Sequence, residues 1–160
     1  MTQIAKITIA STALAQAAEL MAQIDELGAI EYDKNTLALD MQERIGEHQY
    51  LCLVAYIQGQ AVGFKLGYAL DDGVFYSWLG GVLPRFRQQG VAKQLLMAQE
   101  HWAKTQGYHA IKVKTRNCYK AMLIMLITHG YQIEALEEKQ CLAEYRICLI
   151  KSLGGRDGIL

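Results

Sequence analysis

Val82-Leu83-Pro84-Arg85-Phe86-Arg87-Gln88-Gln89-Gly90-Val91-Ala92-Lys93-Gln94-Leu95-Leu96 is the stretch that decides how the chain is read. Before it lies a β-rich, aromatic segment, 74–79, and after it Val91, Leu95, Leu96, Trp102 and Ala103 recur at helical spacing. The stretch therefore reads as a strand, a tight turn built around Gly90, and the first turn of a helix. A helix that starts this way leaves several backbone N–H groups without helical partners, all aimed at one point where its dipole is positive. A phosphate or pyrophosphate is the natural occupant of that point.

Two familiar phosphate-binding patterns are excluded. A Walker loop requires Gly-Lys-Ser/Thr, and Val91 follows Gly90 here; a dinucleotide fingerprint requires three spaced glycines, and Gly90 stands alone in the turn. What remains is Arg87-x-x-Gly90-x-Ala92, with Val82-x-Pro84 leading in and Leu95-Leu96 following. In this setting the chain resembles the GNAT superfamily of acetyl-CoA-dependent N-acetyltransferases, whose signature is Gln/Arg-x-x-Gly-x-Gly/Ala between the fourth strand and the third helix.

Outward from the turn, the remaining elements follow in order. Residues 4–9 read as a first strand, and Ser11 or Thr12 can cap a helix to about Leu27, with Leu14, Ala17, Ala18, Met21 and Ile24 on one face and Gly28 at its end. A second helix spans about 35–45, with Leu37, Leu39, Met41 and Ile45 apolar. Strands at 50–57 and 61–70 flank the tight turn at 58–60, and Asp71-Asp72-Gly73 leads into strand 74–82. On the second strand of that hairpin, large apolar residues alternate with Gly63, Lys65, Gly67 and Ala69, a bare face that suits a closely packed helix. A third helix covers about 91–105, strand five 109–115 with Ile111 and Val113 inward, and Asn117 can cap an apolar, Met-rich fourth helix that packs in the core and ends at His129-Gly130. Strands at 131–136 and 141–150 close the chain, around the charged turn Glu137-Glu138-Lys139.

The order is βααβββαβαββ, a mixed α/β arrangement that matches the GNAT fold along almost the whole chain. The resemblance implies a mostly antiparallel sheet splayed between parallel strands four and five, with helices on both faces and acyl-CoA wedged into the opening. One domain is expected over 1–151, with a frayed tail at 152–160.

Composition agrees with a compact enzyme-sized domain. Of 160 residues, 52% are hydrophobic, and 16 basic side chains balance 16 acidic ones, so the basic excess of a nucleic-acid binder is missing. No apolar run reaches membrane-spanning length and no signal segment opens the sequence, so a cytoplasmic setting without membrane contact is expected. Cys52, Cys118, Cys141 and Cys148 form no CxxC pair and read as buried reduced thiols. His48, His101, His109 and His129 lack metal-ligand spacing, so no metal is expected.

The reaction the resemblance implies is transfer of an acetyl group from acetyl-CoA to an amine. The backbone of Arg87, Gln88, Gln89, Gly90, Val91, Ala92 and Lys93 would hold the pyrophosphate. Gly80, Gly81 and Val82 at the end of strand four would meet the pantetheine arm, with a bulge at the glycine pair and the Val82 N–H as oxyanion donor. Asn117 fits the family's pantetheine-contacting asparagine, and a plain helix cap is an equal reading.

Proton handling fits the family less well. A lysine-type amine costs about 4.6 kcal/mol to reach its neutral form at pH 7. Where histone-type members carry a glutamate base the sequence has Tyr76, and where many carry a tyrosine acid, four residues before Gly130-Tyr131, it has Leu126. Tyr119 is the substitute acid by proximity in sequence, Glu31 and Asp33 are candidate bases in the loop between the first two helices, and Tyr76, Trp78 and Tyr68 are candidate walls of an acceptor pocket. The missing carriers keep a second reading open, an acyl-CoA-binding sensor without turnover. A ribosomal or tRNA acetyltransferase is disfavoured by the neutral charge. Homodimerisation through the C-terminal strands is expected only by analogy with the family.

Overall fold

The structure, a computed structural model, describes residues 6–24 and 36–154. Its elements are β1 (Ile7–Ser11), α1 (Leu14–Ala22), α2 (Leu37–Ile45), β2 (Tyr50–Ile57), β3 (Gln60–Ala69), β4 (Val74–Val82), α3 (Val91–Thr105), β5 (Ala110–Arg116), α4 (Lys120–Thr128), β6 (Gln132–Glu137) and β7 (Arg146–Ser152). Short 3-10 turns stand at Pro84–Phe86 and Leu142–Glu144. Strand order is β1-β2-β3-β4-β5-β7-β6. β4 and β5 are parallel over four residue pairs, Val74–Ala110 to Ser77–Val113, while β1–β2, β2–β3, β5–β7 and β6–β7 are antiparallel. This is the βααβββαβαββ order expected from the sequence.

The described residues fall into two compact units, one drawn from Met1–Tyr68 and Leu79–Gln99, the other from Ala69–Trp78 and Glu100–Leu160. In the first, β2 and β3 form a hairpin whose two-residue turn places Gln58 at φ 50° and Gly59 at φ 78°, the left-handed pair that matches strand twist. Helices cover both faces of β3. A Cβ on Gly63 would lie 3.0 Å from Val91 Cγ1 and 3.4 Å from Leu95 Cδ1, so α3 rests on the strand where it is bare. On the other face Tyr68 takes a hydrogen bond from Arg44 Nε of α2 at 3.0 Å.

The second unit is centred on β5, with Ile111 and Val113 buried as expected, and on a polar anchor. Glu100 accepts hydrogen bonds from Tyr131 Oη at 3.0 Å and Lys151 Nζ at 2.9 Å. Burial, the Glu100 charge and this hydrogen bond all hold the Tyr131 hydroxyl far above its ordinary pKa.

Several boundaries differ from the sequence reading. α1 begins at Leu14 without a side-chain cap, because Thr12 still belongs to the β1–β2 ladder: its amide bonds the Cys52 carbonyl at 3.0 Å and its hydroxyl meets Cys52 Sγ. The expected end of that helix, Leu27-Gly28, lies outside the described residues. Leu39 is 63% exposed, off the buried face of Leu37, Met41 and Ile45. In α4 only Leu126 is fully buried, and Ile124 and Ile127 are exposed, so its apolar surplus is not all core. Residues 141–145 make a 3-10 turn instead of opening the last strand, which runs on through Ser152; Leu153, placed in the tail by the sequence reading, is buried. Of the cysteines, all free, only Cys52 is buried, where desolvation raises its pKa; Cys118 and Cys141 stand exposed in turns flanking α4 and β7.

Removing the polar anchor is measurable in two ways. Glu100→Ala strands a buried hydroxyl and is expected to lower stability by about 1–3 kcal/mol in urea denaturation. Because the folded-state pKa of Tyr131 is raised, its stabilising effect is complete below the unfolded value, about 10, and is lost as pH rises above it. Tyr131→Phe is therefore expected to show a shallower loss of Tm than wild type between pH 9.5 and about 11; equal slopes would contradict the assignment.

Candidate functional site

α3 begins where the sequence reading starts it, and the turn before it is now explicit. Pro84–Phe86 makes one 3-10 turn, Arg87 returns to an extended conformation, Gln88 takes φ 62° and Gly90 φ 86°. The first helical bond runs from the Gln94 amide to the Gly90 carbonyl at 3.0 Å. Helix geometry therefore leaves the amides of Gly90, Val91, Ala92 and Lys93 without intrahelical acceptors. No acidic residue stands in the first turn of this 15-residue helix, so nothing on it opposes an anion. A Cβ on Gly90 would meet nothing within 4 Å; its glycine is required by backbone conformation and by open approach, not by crowding.

The end of β4 is fixed against β3. Leu83 donates its amide to the Val62 carbonyl at 2.8 Å. Successive residues of a strand present their peptide groups to opposite edges, so the N–H and C=O of Val82 face the edge that β3 does not use. Arg87 Nε donates to that Val82 carbonyl at 3.1 Å, tying the turn to the strand. Besides the backbone contact expected of Arg87, its side chain acts as a brace. Along β4 burial alternates from Val74 to Ser77 and then stops alternating until Val82, a break that coincides with Gly80 and Gly81.

The residues expected around the chemistry are placed as follows. Tyr76 and Trp78 are half-buried on β4, and Tyr68 is buried on β3. Asn117 is not the cap of α4: Tyr119 occupies that position, and the Asn117 side chain donates to the Leu142 carbonyl at 2.8 Å. Leu126, at the family's usual tyrosine position, is fully buried. Tyr131 is committed to Glu100, which makes it a poor proton donor. Glu31 and Asp33 lie outside the described residues. Among the described residues, no group of three His, Cys, Asp or Glu could hold a metal ion, and no helix is long and apolar enough to cross a membrane.

A sequence profile described as the Acetyltransferase (GNAT) family matches residues 16–131, which include both the turn and β4. The chain belongs to this family. Solved structures place the same fold around it. The ribosomal-protein-S18-alanine N-acetyltransferase of Escherichia coli aligns over 97% of this chain and 99% of its own, with 16% identity and a TM-score of 0.78. Ard1 of Thermoplasma volcanium covers 93% and 99% of the two chains at 20% identity and TM-score 0.77. An IAA acetyltransferase of Bacillus cereus ATCC 14579 covers 92% and 99% at 17% identity and TM-score 0.74. At these identities the likeness is one of fold. No curated protein matches the chain by sequence.

Among the buried polar residues of this GNAT chain whose burial the sequence reading did not foresee are Lys65 on β3 and Gln99 on α3. Lysine at an inward position of a strand is the signal that would have found the first. Gln99 sits at the helical spacing of Val91 and Leu95, where an apolar residue is the default.

The turn makes a direct prediction. Gly90→Ala places a side chain in open space but in the left-handed region, so it is expected to cost about 1–2 kcal/mol of stability without any steric clash. Urea midpoints for the two proteins check it; an unchanged midpoint would mean the turn relaxes freely.

Proposed function

We propose that this protein is an N-acetyltransferase that moves the acetyl group of acetyl-CoA to a primary amine of a small molecule or peptide by direct attack on the thioester. The observation that carries this reading is the start of α3: four amides without intrahelical acceptors, a left-handed Gly90 and no acidic residue in the first turn. Such a site favours a pyrophosphate, and membership of the GNAT family supports acetyl-CoA as its carrier. Gln88, Gln89, Gly90, Val91, Ala92 and Lys93 hold the diphosphate through the main chain, while Arg87 keeps the turn in register. Gly80, Gly81 and Val82 meet the pantetheine arm and the acyl carbonyl, and the Val82 N–H stabilises the oxyanion that forms when the amine adds. Asn117 is the candidate pantetheine-contacting asparagine.

The proton steps fall to Tyr119 as acid toward the departing thiolate and to Glu31, directly or through a water, as base. Tyr76 lines the acceptor with Trp78. A cytoplasmic setting suits four free cysteines. A homodimer through β6 suits the exposure of that strand from Gln132 to Leu136, and sedimentation velocity decides it.

A second reading is favoured by one observation. Leu126 is buried where the family's usual acid stands, and Tyr131 holds its proton, so an acyl-CoA-binding module without turnover fits the same turn. Thiol release separates the two. Acetyl-CoA with an amine panel is expected to liberate CoA; binding without thiol release would favour the sensor.

The shared premise is tested by Gly90→Glu, which puts a carboxylate at the proposed diphosphate position. Acetyl-CoA at a hundredfold excess over its Kd is expected to stabilise the wild type by about 2.7 kcal/mol and the variant not at all. Absence of calorimetric heat with wild type would overturn both readings.

A further inference from the structure

Of the large apolar side chains that stand exposed among the described residues, five fall within 124–142: Ile124, Ile127, Ile133, Leu136 and Leu142. The sheet register explains two of them. Val113 on β5, Leu149 on β7 and Ile133 on β6 stand side by side across three strands, and Thr115, Ile147 and Leu136 form a second such row. A bulge at Glu134 keeps Ile133 and Leu136 on one face although they are three residues apart. In both rows the members on β5 and β7 are buried, whereas Ile133 is 57% and Leu136 55% exposed. The cover over this face therefore stops short of β6. That strand is also the edge of the sheet, with a neighbour on one side only.

An open edge with apolar side chains is a template for another strand, and native sheets commonly guard such edges with charge. β6 carries two acids, but neither is turned to that task. Glu134 lies 3.2 Å from Lys112 Nζ and Glu137 lies 2.8 Å from Lys114 Nζ, so both carboxylates fold back across β7 to cations of β5. Lys112 and Lys114 alternate with Ile111 and Val113, so these pairs sit on the face opposite the apolar rows. The acids are thus met within the chain, and a net charge of zero adds no general repulsion between copies. A two-fold axis at the open edge, between Glu134 and Ala135, would set Ile133 opposite Leu136 of a second copy and Leu136 opposite its Ile133. Each Glu134 would then face an alanine, not another acid. Both strands carry the same bulge, so the segment 133–136 matches itself residue for residue.

We propose that β6 pairs antiparallel with β6 of a second copy about this two-fold axis, Ile133 of one protomer against Leu136 of its partner, so that the sheet continues across the interface. This rests on the homodimer reading above, to which it gives a contact, a register and a symmetry; it does not depend on the acetyl-transfer chemistry. Each exposed apolar residue of the strand gains a cross-strand partner of its own kind, and the symmetry repeats the gain. The backbone groups on the open edge gain partners in the same step. A contact limited to one six-residue strand from each copy falls below the about 800 Å² per partner of a standard interface. The association is therefore reversible and depends on concentration.

Sedimentation velocity over a concentration series tests this with wild type, Ile133→Lys, Leu136→Glu and an equimolar mixture of the two variants. Wild type is expected to pass from monomer to dimer as concentration rises. Either variant alone is expected to weaken the dimer at least about tenfold, because the symmetry sets the new charge against an apolar residue twice. In the mixture the introduced lysine faces the introduced glutamate and the other pair stays apolar, so the dimer constant is expected to return to within about threefold of wild type. Variants that dimerise as wild type does, or a mixture no better than its components, overturn the proposal and place the dimer on another surface. Wild type that stays monomeric throughout overturns this proposal and the homodimer reading together. Melting curves show whether the variants fold. Should either fail, hydrogen exchange of wild type decides: β6 amides are expected to exchange more slowly as concentration rises, while those of β1, the opposite edge, do not change. Exchange in β6 that ignores concentration overturns the proposal.

Discussion

A helix cannot begin without leaving amides over, and everything functional in this chain follows from where α3 begins. Its first turn could be buried, capped by a side chain, or offered to a ligand. Three local constraints select the last. Gly63 lets Val91 come within 3.0 Å of a Cβ position, which seats the helix hard on β3. Gly90 at φ 86° turns the chain into the helix without a side chain standing over the amides. Arg87 binds the Val82 carbonyl, so the turn and the strand end form one unit. Loss of any of the three would leave the amides present but not aimed.

How much of this was legible beforehand depended on whether a local rule decided the outcome. The span of α3, 91–105, could be read because apolar spacing, Gly90 and Gly107 all pointed to the same ends. The β2–β3 hairpin could be read because the turn Gln58-Gly59-Gln60 separates two apolar, strand-like runs. Asn117 could not: as a helix cap and as a loop brace it has the same sequence signature, and only the Leu142 carbonyl 2.8 Å from its amide decides between them. The 3-10 turn at Leu142–Glu144 was likewise hidden, since 141–150 carries a strand-like composition and the interruption depends on pairing with the segment before α4, where the Cys118 amide meets the Ala143 carbonyl. Tertiary hydrogen bonds override local propensity in both cases.

The same distinction explains the cysteines. Burial was the sensible expectation for apolar, unpaired thiols, and Cys52 meets it, with its pKa raised by desolvation. Cys118 and Cys141 do not, because both fall in turns whose backbone is held by neighbouring carbonyls and amides, with the side chains turned outward. Residue type gives the average environment; the turn gives the actual one.

Lys65 shows the limit of pattern from the opposite direction. Its alternation with Gly63 and Gly67 is what a reader uses to assign a bare face, and a single lysine on such a face is easily taken for a surface residue. At Gly63 a Cβ would press on Val91 Cγ1 at 3.0 Å, so the glycine there seats α3; at Gly80 a Cβ would meet Lys65 only in ordinary contact at 3.7 Å. The glycine face on this central strand is the seat for α3.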